Sequence, residues 1–172
     1  MAKNTFVIRA AVTGDASGGA FQQTEIDLGS YTNLGSSKPE VLRIHKVLFG
    51  FRNDSNQDMP SMGGDLVGSL IWQLTTQSQT DLVGLIDDSY VSGGAGAYRN
   101  PDSSGNPPSQ TLESFILAQD YTNGYVVAVP SLFLGVTQST TWTENADVEV
   151  ILECTTEPMS KANAVSLAIS QQ

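Results

Sequence analysis

Apolar residues recur at every second position in short runs along this chain, and stretches rich in Gly, Asn, Asp and Ser separate the runs. A period of two puts alternate side chains on opposite faces of an extended backbone, so the pattern predicts half-buried strands. The first is Thr5 to Val12, with Phe6, Ile8, Ala10 and Val12 on one face, ended by the breakers from Gly14 to Gly19. Gln22 to Leu28 alternates again, setting Thr24, Ile26 and Leu28 opposite Glu25 and Asp27. After a loop over Gly29 to Pro39 comes Val41 to Arg52. Strict alternation there puts Val41, Val47, Phe49 and Phe51 on one face and Leu42, Ile44 and Leu48 on the other. Two apolar faces predict a strand covered on both sides, by the core and by a neighbouring subunit.

The segment Asn53 to Gly64 is polar and turn-rich, and Val67 to Thr76 follows with Leu70, Trp72 and Leu74 in alternation. Asp81 to Tyr90 fits one helical turn or a short strand equally. Val91 to Gln110 is almost all Gly, Ser, Asn, Pro and Ala, the composition of a long surface loop. Strand signal returns at Leu112 to Ala118, at Tyr125 to Thr137 and at Asp147 to Thr155. Pro130 divides the second of these into two strands or makes it an edge or a bulge. Pro158 stops the last strand, and Ser160 caps a short helix expected to dock through Ala162, Val165 and Ile169. Seven or eight strands in one uninterrupted run predict an all-β domain over residues 1–172, a β-sandwich of jelly-roll type with a short C-terminal helix.

Composition sharpens this picture. Of 172 residues, 40% are hydrophobic but only 15% charged, and 16 are Gly, which suits strands and turns better than amphipathic helices. Eight basic residues against eighteen acidic give a net charge of −10, a field that repels phosphate. The basic residues are scattered, so direct contact with nucleic acid is not expected. The one place where the fold can gather a basic patch is around Arg43, Lys46 and Arg52. A lone cysteine, Cys154, forms no internal disulfide. The apolar run near Met1 is too short for a signal peptide, and no stretch approaches the roughly 20 apolar residues of a membrane span, so synthesis inside a cell without Sec-type export is expected.

Candidate chemistry is sparse. His45 is the only histidine, and it lies between strand residues beside Arg43 and Lys46, a poor setting for a general base that must take up a proton. Cys154 falls on the face of Val148, Val150 and Leu152 and reads as a small buried hydrophobe. Asp54, Asn56, Asp58 and Asp65 match the first, third, fifth and twelfth places of a calcium loop, but Met59 stands where the turn needs Gly and Asp65 where a bidentate Glu is needed. Asp87 and Asp88, near Asp81, are adjacent and so point apart on a strand; a solvated turn is expected. The clusters Gly18-Gly19, Gly63-Gly64 and Gly93-Gly94-Ala95-Gly96 lack phosphate-loop spacing. Trp72 alternates into a core, whereas Trp142, within Ser139-Thr-Thr-Trp-Thr-Glu, is expected near a turn, exposed, and the best residue for a ligand or subunit contact. No catalytic, cofactor-binding or metal-ligating residue is assigned.

The succession from Phe6-Val-Ile-Arg through Val41-Leu-Arg-Ile-His-Lys-Val-Leu-Phe-Gly-Phe to Val148-Glu-Val-Ile-Leu-Glu-Cys resembles a single jelly-roll capsid protein of an icosahedral virus. The resemblance implies two four-stranded sheets, a structural role without catalysis in the virion, and many copies in a closed shell with other virion proteins. Many such proteins carry a basic N-terminal arm, whereas this N-terminus offers Lys3 and Arg9 alone. That departure implies a shell kept from the genome by an internal membrane or another protein layer. The competing class is a carbohydrate- or receptor-binding β-sandwich, a fibre, adhesin or lectin-like module, resting on Trp142, the tyrosines and the acidic loops. An enzyme on a cupin-like barrel would need several converging His or Glu ligands, and one histidine does not supply them.

Overall fold

The computed structural model describes residues 5–58, 62, 67–100 and 109–171. Among them are nine strands: β1 (Phe6–Thr13), β2 (Gln22–Asp27), β3 (Glu40–Asn53), β4 (Val67–Thr75), β5 (Tyr90–Arg99), β6 (Ser109–Ile116), β7 (Tyr125–Val127), β8 (Ser131–Gln138) and β9 (Ala146–Pro158). A single 3-10 turn, Ala118–Asp120, precedes β7, and helix α1 (Lys161–Ser170) closes the described chain. The strands form a four-stranded sheet, β1-β9-β3-β7, and a five-stranded sheet, β2-β8-β4-β5-β6.

The strand order identifies the architecture. The antiparallel rungs β1–β9, β2–β8, β3–β7 and β4–β5 are those of one long hairpin, and successive rungs fall alternately in the two sheets. The seams β9–β3 and β8–β4 then close the roll. This is a jelly roll, as expected, with β6 added at the tip as a ninth strand.

The periodicity reads well where the strands are regular. In β1, Ile8 and Val12 are buried and Val7, Arg9 and Ala11 exposed; in β4, Leu70, Trp72 and Leu74 are fully buried. Phe49 lies against Trp72 at 5.0 Å between ring centroids, joining the two sheets at the centre of the sandwich.

In β3 strict alternation fails. The pairing with β9 runs Ile44 to Cys154 and then Lys46 to Glu153, so His45 is an extra residue in a β-bulge. The bulge reverses the parity. Leu42 and Ile44 before it, and Val47, Phe49 and Phe51 after it, all face the one core. The two faces read from the sequence are therefore largely one face. Val41 points outward and is covered within the chain by α1, beside Ala128 and Ala164; Leu48 points outward and is bare, 47% exposed.

Residues 91–99, expected in a surface loop, are instead the body of β5, hydrogen-bonded between β4 and β6 and mostly buried. Small residues are required here because large ones lie across the strand. A Cβ on Gly94 would stand 2.5 Å from the Glu113 carbonyl oxygen and 3.0 Å from Trp72 Nε1, and one on Gly96 2.9 Å from the Phe51 ring. Of the rest of that expected loop, 101–108 lie outside the described residues, and Ser109 and Gln110 open β6. Of the span Asp81 to Tyr90, residues 81–89 are neither helix nor strand but a series of turns, and Tyr90 opens β5; the turns are held over the outside of β4 by Gln73, which donates to the Asp81 carbonyl and accepts from Val83 N–H.

Pro130 separates β7 from β8, and Ser160 caps α1 by accepting from Asn163 N–H. The helix docks on a different face from the one expected. Ala164 is buried with Leu167 and Ala168 beside it, while Ala162, Val165 and Ile169 face outward. Gln171 sets this rotation. Its side chain donates to the Val126 carbonyl at 2.6 Å and accepts from Ala128 N–H at 2.9 Å, and its own carbonyl accepts from Thr76 Oγ1 at 2.6 Å. One residue thus ties the helix to β7 and to the end of β4.

Gly94→Ala is expected to lower stability by about 1–3 kcal/mol, since neither the Glu113 backbone nor Trp72 can yield without repacking. Gln171→Ala strands the buried Ala128 N–H and is expected to cost about 1–3 kcal/mol. Urea denaturation of each variant against the parent measures both.

Candidate functional site

His45 sits on the outer side of the bulge, with Nε2 2.8 Å from Thr155 Oγ1. Around it Arg43, Gln119, Tyr121, Thr122, Asn123 and Gly124 line an open polar hollow. Its cation is already spent: Arg43 Nε and Nη2 donate to the two Glu157 carboxylate oxygens at 2.9 and 2.5 Å, and Nη1 donates to the Asn123 carbonyl. Glu157 accordingly holds the Arg43 guanidinium above its ordinary pKa, hydrogen bonding first and charge second, against the effect of burial. Gln119 is a residue the sequence did not single out. It accepts from Val47 N–H at 2.9 Å and donates to the Val47 carbonyl at 3.1 Å, replacing the strand neighbour that β3 lacks beyond the bulge. The hollow is the mould of that bulge, and the hydroxyl that meets His45 is that of Thr155.

The basic patch considered around Arg43, Lys46 and Arg52 does not form as a free cationic surface, because Arg43 is held by Glu157 and Arg52 by Glu149 at 3.1 Å. Cys154 is fully buried, as its position predicted, and desolvation, with Glu153 adding repulsion, pushes its thiol up to about 12.

Trp142 departs from expectation. It is 4% exposed, its ring meets Tyr98 edge-on at 5.1 Å, and Nε1 donates to the Ser69 carbonyl at 3.0 Å. A side chain so placed is a clamp on the end of β4, not a platform for a ligand. Trp72 is fully buried, as predicted.

The acidic loops are turns. Asn56 accepts from Asp58 N–H, and Gln57 adopts a left-handed φ of 65°, so this stretch curls on itself; Asp65 lies outside the described residues. Asp87 accepts from the Ser89 amide and hydroxyl, which lower its pKa, while Asp88 is exposed in the same turn. No group of three His, Cys, Asp or Glu side chains suited to a metal occurs among the described residues. Among them, too, no helix is long and apolar enough to cross a membrane.

What the surface does offer is bare apolar side chains on both sheets, on α1 and on loops. Val7, Leu48 and Ile151 lie on the outside of the four-stranded sheet, and Val165 and Ile169 on α1. Leu85 and Ile86 stand on the turn before β5, the latter 97% exposed; Val67 lies on β4, Leu112 and Phe115 on β6, and Tyr121 just after the 3-10 turn.

No protein-family model and no curated protein matches the sequence. Solved structures with a similar strand arrangement include VP1 of human polyomavirus 12, in complex with 3'-sialyllactosamine. It is 8% identical at a TM-score of 0.47, with 91% of this chain and 100% of that chain covered. VP1 of New Jersey polyomavirus is 8% identical at a TM-score of 0.44 over the same shares. Merkel cell polyomavirus VP1, in complex with disialyllactose, is 6% identical at 0.39, covering 91% and 95%. These are capsid proteins with jelly-roll sandwiches, the class that the sequence resembles; the jelly roll of this chain rests on its own strand order.

The Cys154 environment yields a direct check. A thiol reagent at pH 8 is expected to leave the folded protein unlabelled and to label it fully in denaturant. Below the ordinary thiol range, about 8.5, the group is neutral in both states and contributes no pH dependence. As pH rises from there toward 12 the unfolded chain loses a proton that the folded chain keeps, so stability falls across that window. Rapid labelling of the folded protein would contradict this placement.

Proposed function

We propose that this chain is a non-catalytic structural subunit, one jelly-roll domain over residues 1–172, that associates with copies of itself into the closed shell of a virion. The observation that carries the reading is the dispersal of exposed apolar side chains over both sheets, α1 and the turn before β5. A module that binds one ligand needs one such patch. A subunit enclosed by neighbours needs several, pointing in different directions.

The sites are consistent with that role. The one histidine is absorbed in a bulge, the one thiol is buried, and the acidic residues close turns. A net charge of −10 disfavours direct genome contact, so another virion protein or an internal membrane lies between this layer and nucleic acid. The carbohydrate-binding alternative rested on Trp142, the tyrosines and the acidic loops, and burial of the Trp142 ring removes the first of these supports.

Concentrated protein at moderate ionic strength, which screens the acidic surface, is expected to form regular particles visible by negative-stain microscopy. A species that stays at 18.3 kDa by light scattering at every concentration and salt would overturn the reading.

A further inference from the structure

Among the described residues, the outer face of the four-stranded sheet is covered at only one end. Helix α1 lies over Val41 and Ala128, on the far side of the bulge from Leu48. Beyond the bulge the face is open. Its outward rows are set by the register of β3 with β9: Lys46 stands beside Glu153, and Leu48 beside Ile151. Gly50 stands beside Glu149, and Arg52 beside Asp147. Each row pairs opposite charges or apolar groups except that of Gly50, which leaves open space next to a carboxylate.

A seam built this way is complementary to itself. A two-fold axis laid along the boundary between β3 and β9 brings β9 of one copy over β3 of the other and keeps the rows in place. Every residue then meets, across the interface, the residue it neighbours within its own sheet. Ile151 meets Leu48 and Glu153 meets Lys46, while Arg52 and Glu149, already paired with each other within each copy, face their counterparts as a neutral pair beside the space over Gly50.

Charge says why a second copy occupies this face. The chain carries −10, so two copies repel over most of their surfaces. Here three of its eight basic residues, Arg9, Lys46 and Arg52, balance Asp147, Glu149 and Glu153, and the local sum is zero. Among the described residues, Arg9, Lys46 and Glu153 make no ion pair within the chain, so their charges remain available to a partner. Around them Val7, Leu48 and Ile151 are 41%, 47% and 36% exposed.

We infer that the open half of this sheet face is an isologous contact between two copies of the chain, joined along the β3–β9 seam. The inference rests on the self-assembling role proposed above and names one of its interfaces. Two strands over seven rows span about 10 Å by 23 Å, less than a standard stable complex buries. The contact alone therefore gives a weak dimer, strengthened when other faces are engaged at the same time.

Sedimentation equilibrium on the parent, Lys46→Glu, Glu153→Lys and the double exchange tests it, with thermal melts to confirm that each variant is folded. Each single reversal sets like charges opposite one another at two symmetric points, so association weakens at least about tenfold. The double exchange restores the pairing and returns association toward the parent value. Parent protein that associates, with both single variants unchanged or with no recovery in the double exchange, overturns this interface and leaves the assembling role standing. Parent protein that never associates overturns both.

Discussion

The pairing of β3 with β9 is the constraint on which the rest of the structure depends. It runs from Glu40 beside Pro158 to Asn53 beside Ala146 and closes the four-stranded half of the roll. Without it, β1–β9 and β3–β7 would be two separate ribbons, each short of the strands needed to cover a core. The inner side of the seam supplies Val148, Val150, Leu152 and Cys154 against Leu42, Ile44, Val47, Phe49 and Phe51. The bulge at His45 lets one strand of this length feed that core at both ends, and Gln119 repairs the backbone bonding that it disrupts. The histidine that first draws attention as chemistry is a consequence of this geometry.

Much of the fold was legible in the sequence, and the failures share a physical cause. Regular strands with one buried face, such as β1, β2 and β9, announce themselves by alternation, and Ser160 and Pro130 mark a helix start and a strand break. Tertiary contacts decide the rest. The glycines of β5 read as a loop because nothing local says that Trp72 and Phe51 will lie across them. A single inserted residue at 45 turned one core face into two apparent ones. Trp142 reads as exposed because its flanks are polar, yet the Ser69 carbonyl and Tyr98 draw it in. In α1 the apolar positions do not determine which face docks; Gln171, one residue beyond the helix, does.

The candidate site followed the same division. The expectation of no catalysis rested on residue counts, since one histidine and one cysteine leave few constellations to assemble. The location of the interacting surface could not be argued that way, since it depends on parity after the bulge and on how far α1 reaches. The second apolar face expected of β3 resolves into two cases: Val41 is covered within the chain, and Leu48 is exposed.

Electrostatics connects the fold to its proposed use. A chain with a large excess of acid stays dispersed until one neutral, self-matched surface lets two copies approach, and the remaining apolar patches then engage further neighbours. The most direct measurement is the distance between spin labels on Ala11→Cys, an exposed β1 position, with the buried Cys154 unlabelled. Three strand spacings of about 4.8 Å and a sheet separation of about 10 Å place the two labelled backbones about 17 Å apart in the seam-to-seam dimer. The account predicts a dipolar distance close to that value in associated protein. Associated protein with no distance maximum in the range of about 15–30 Å would contradict it.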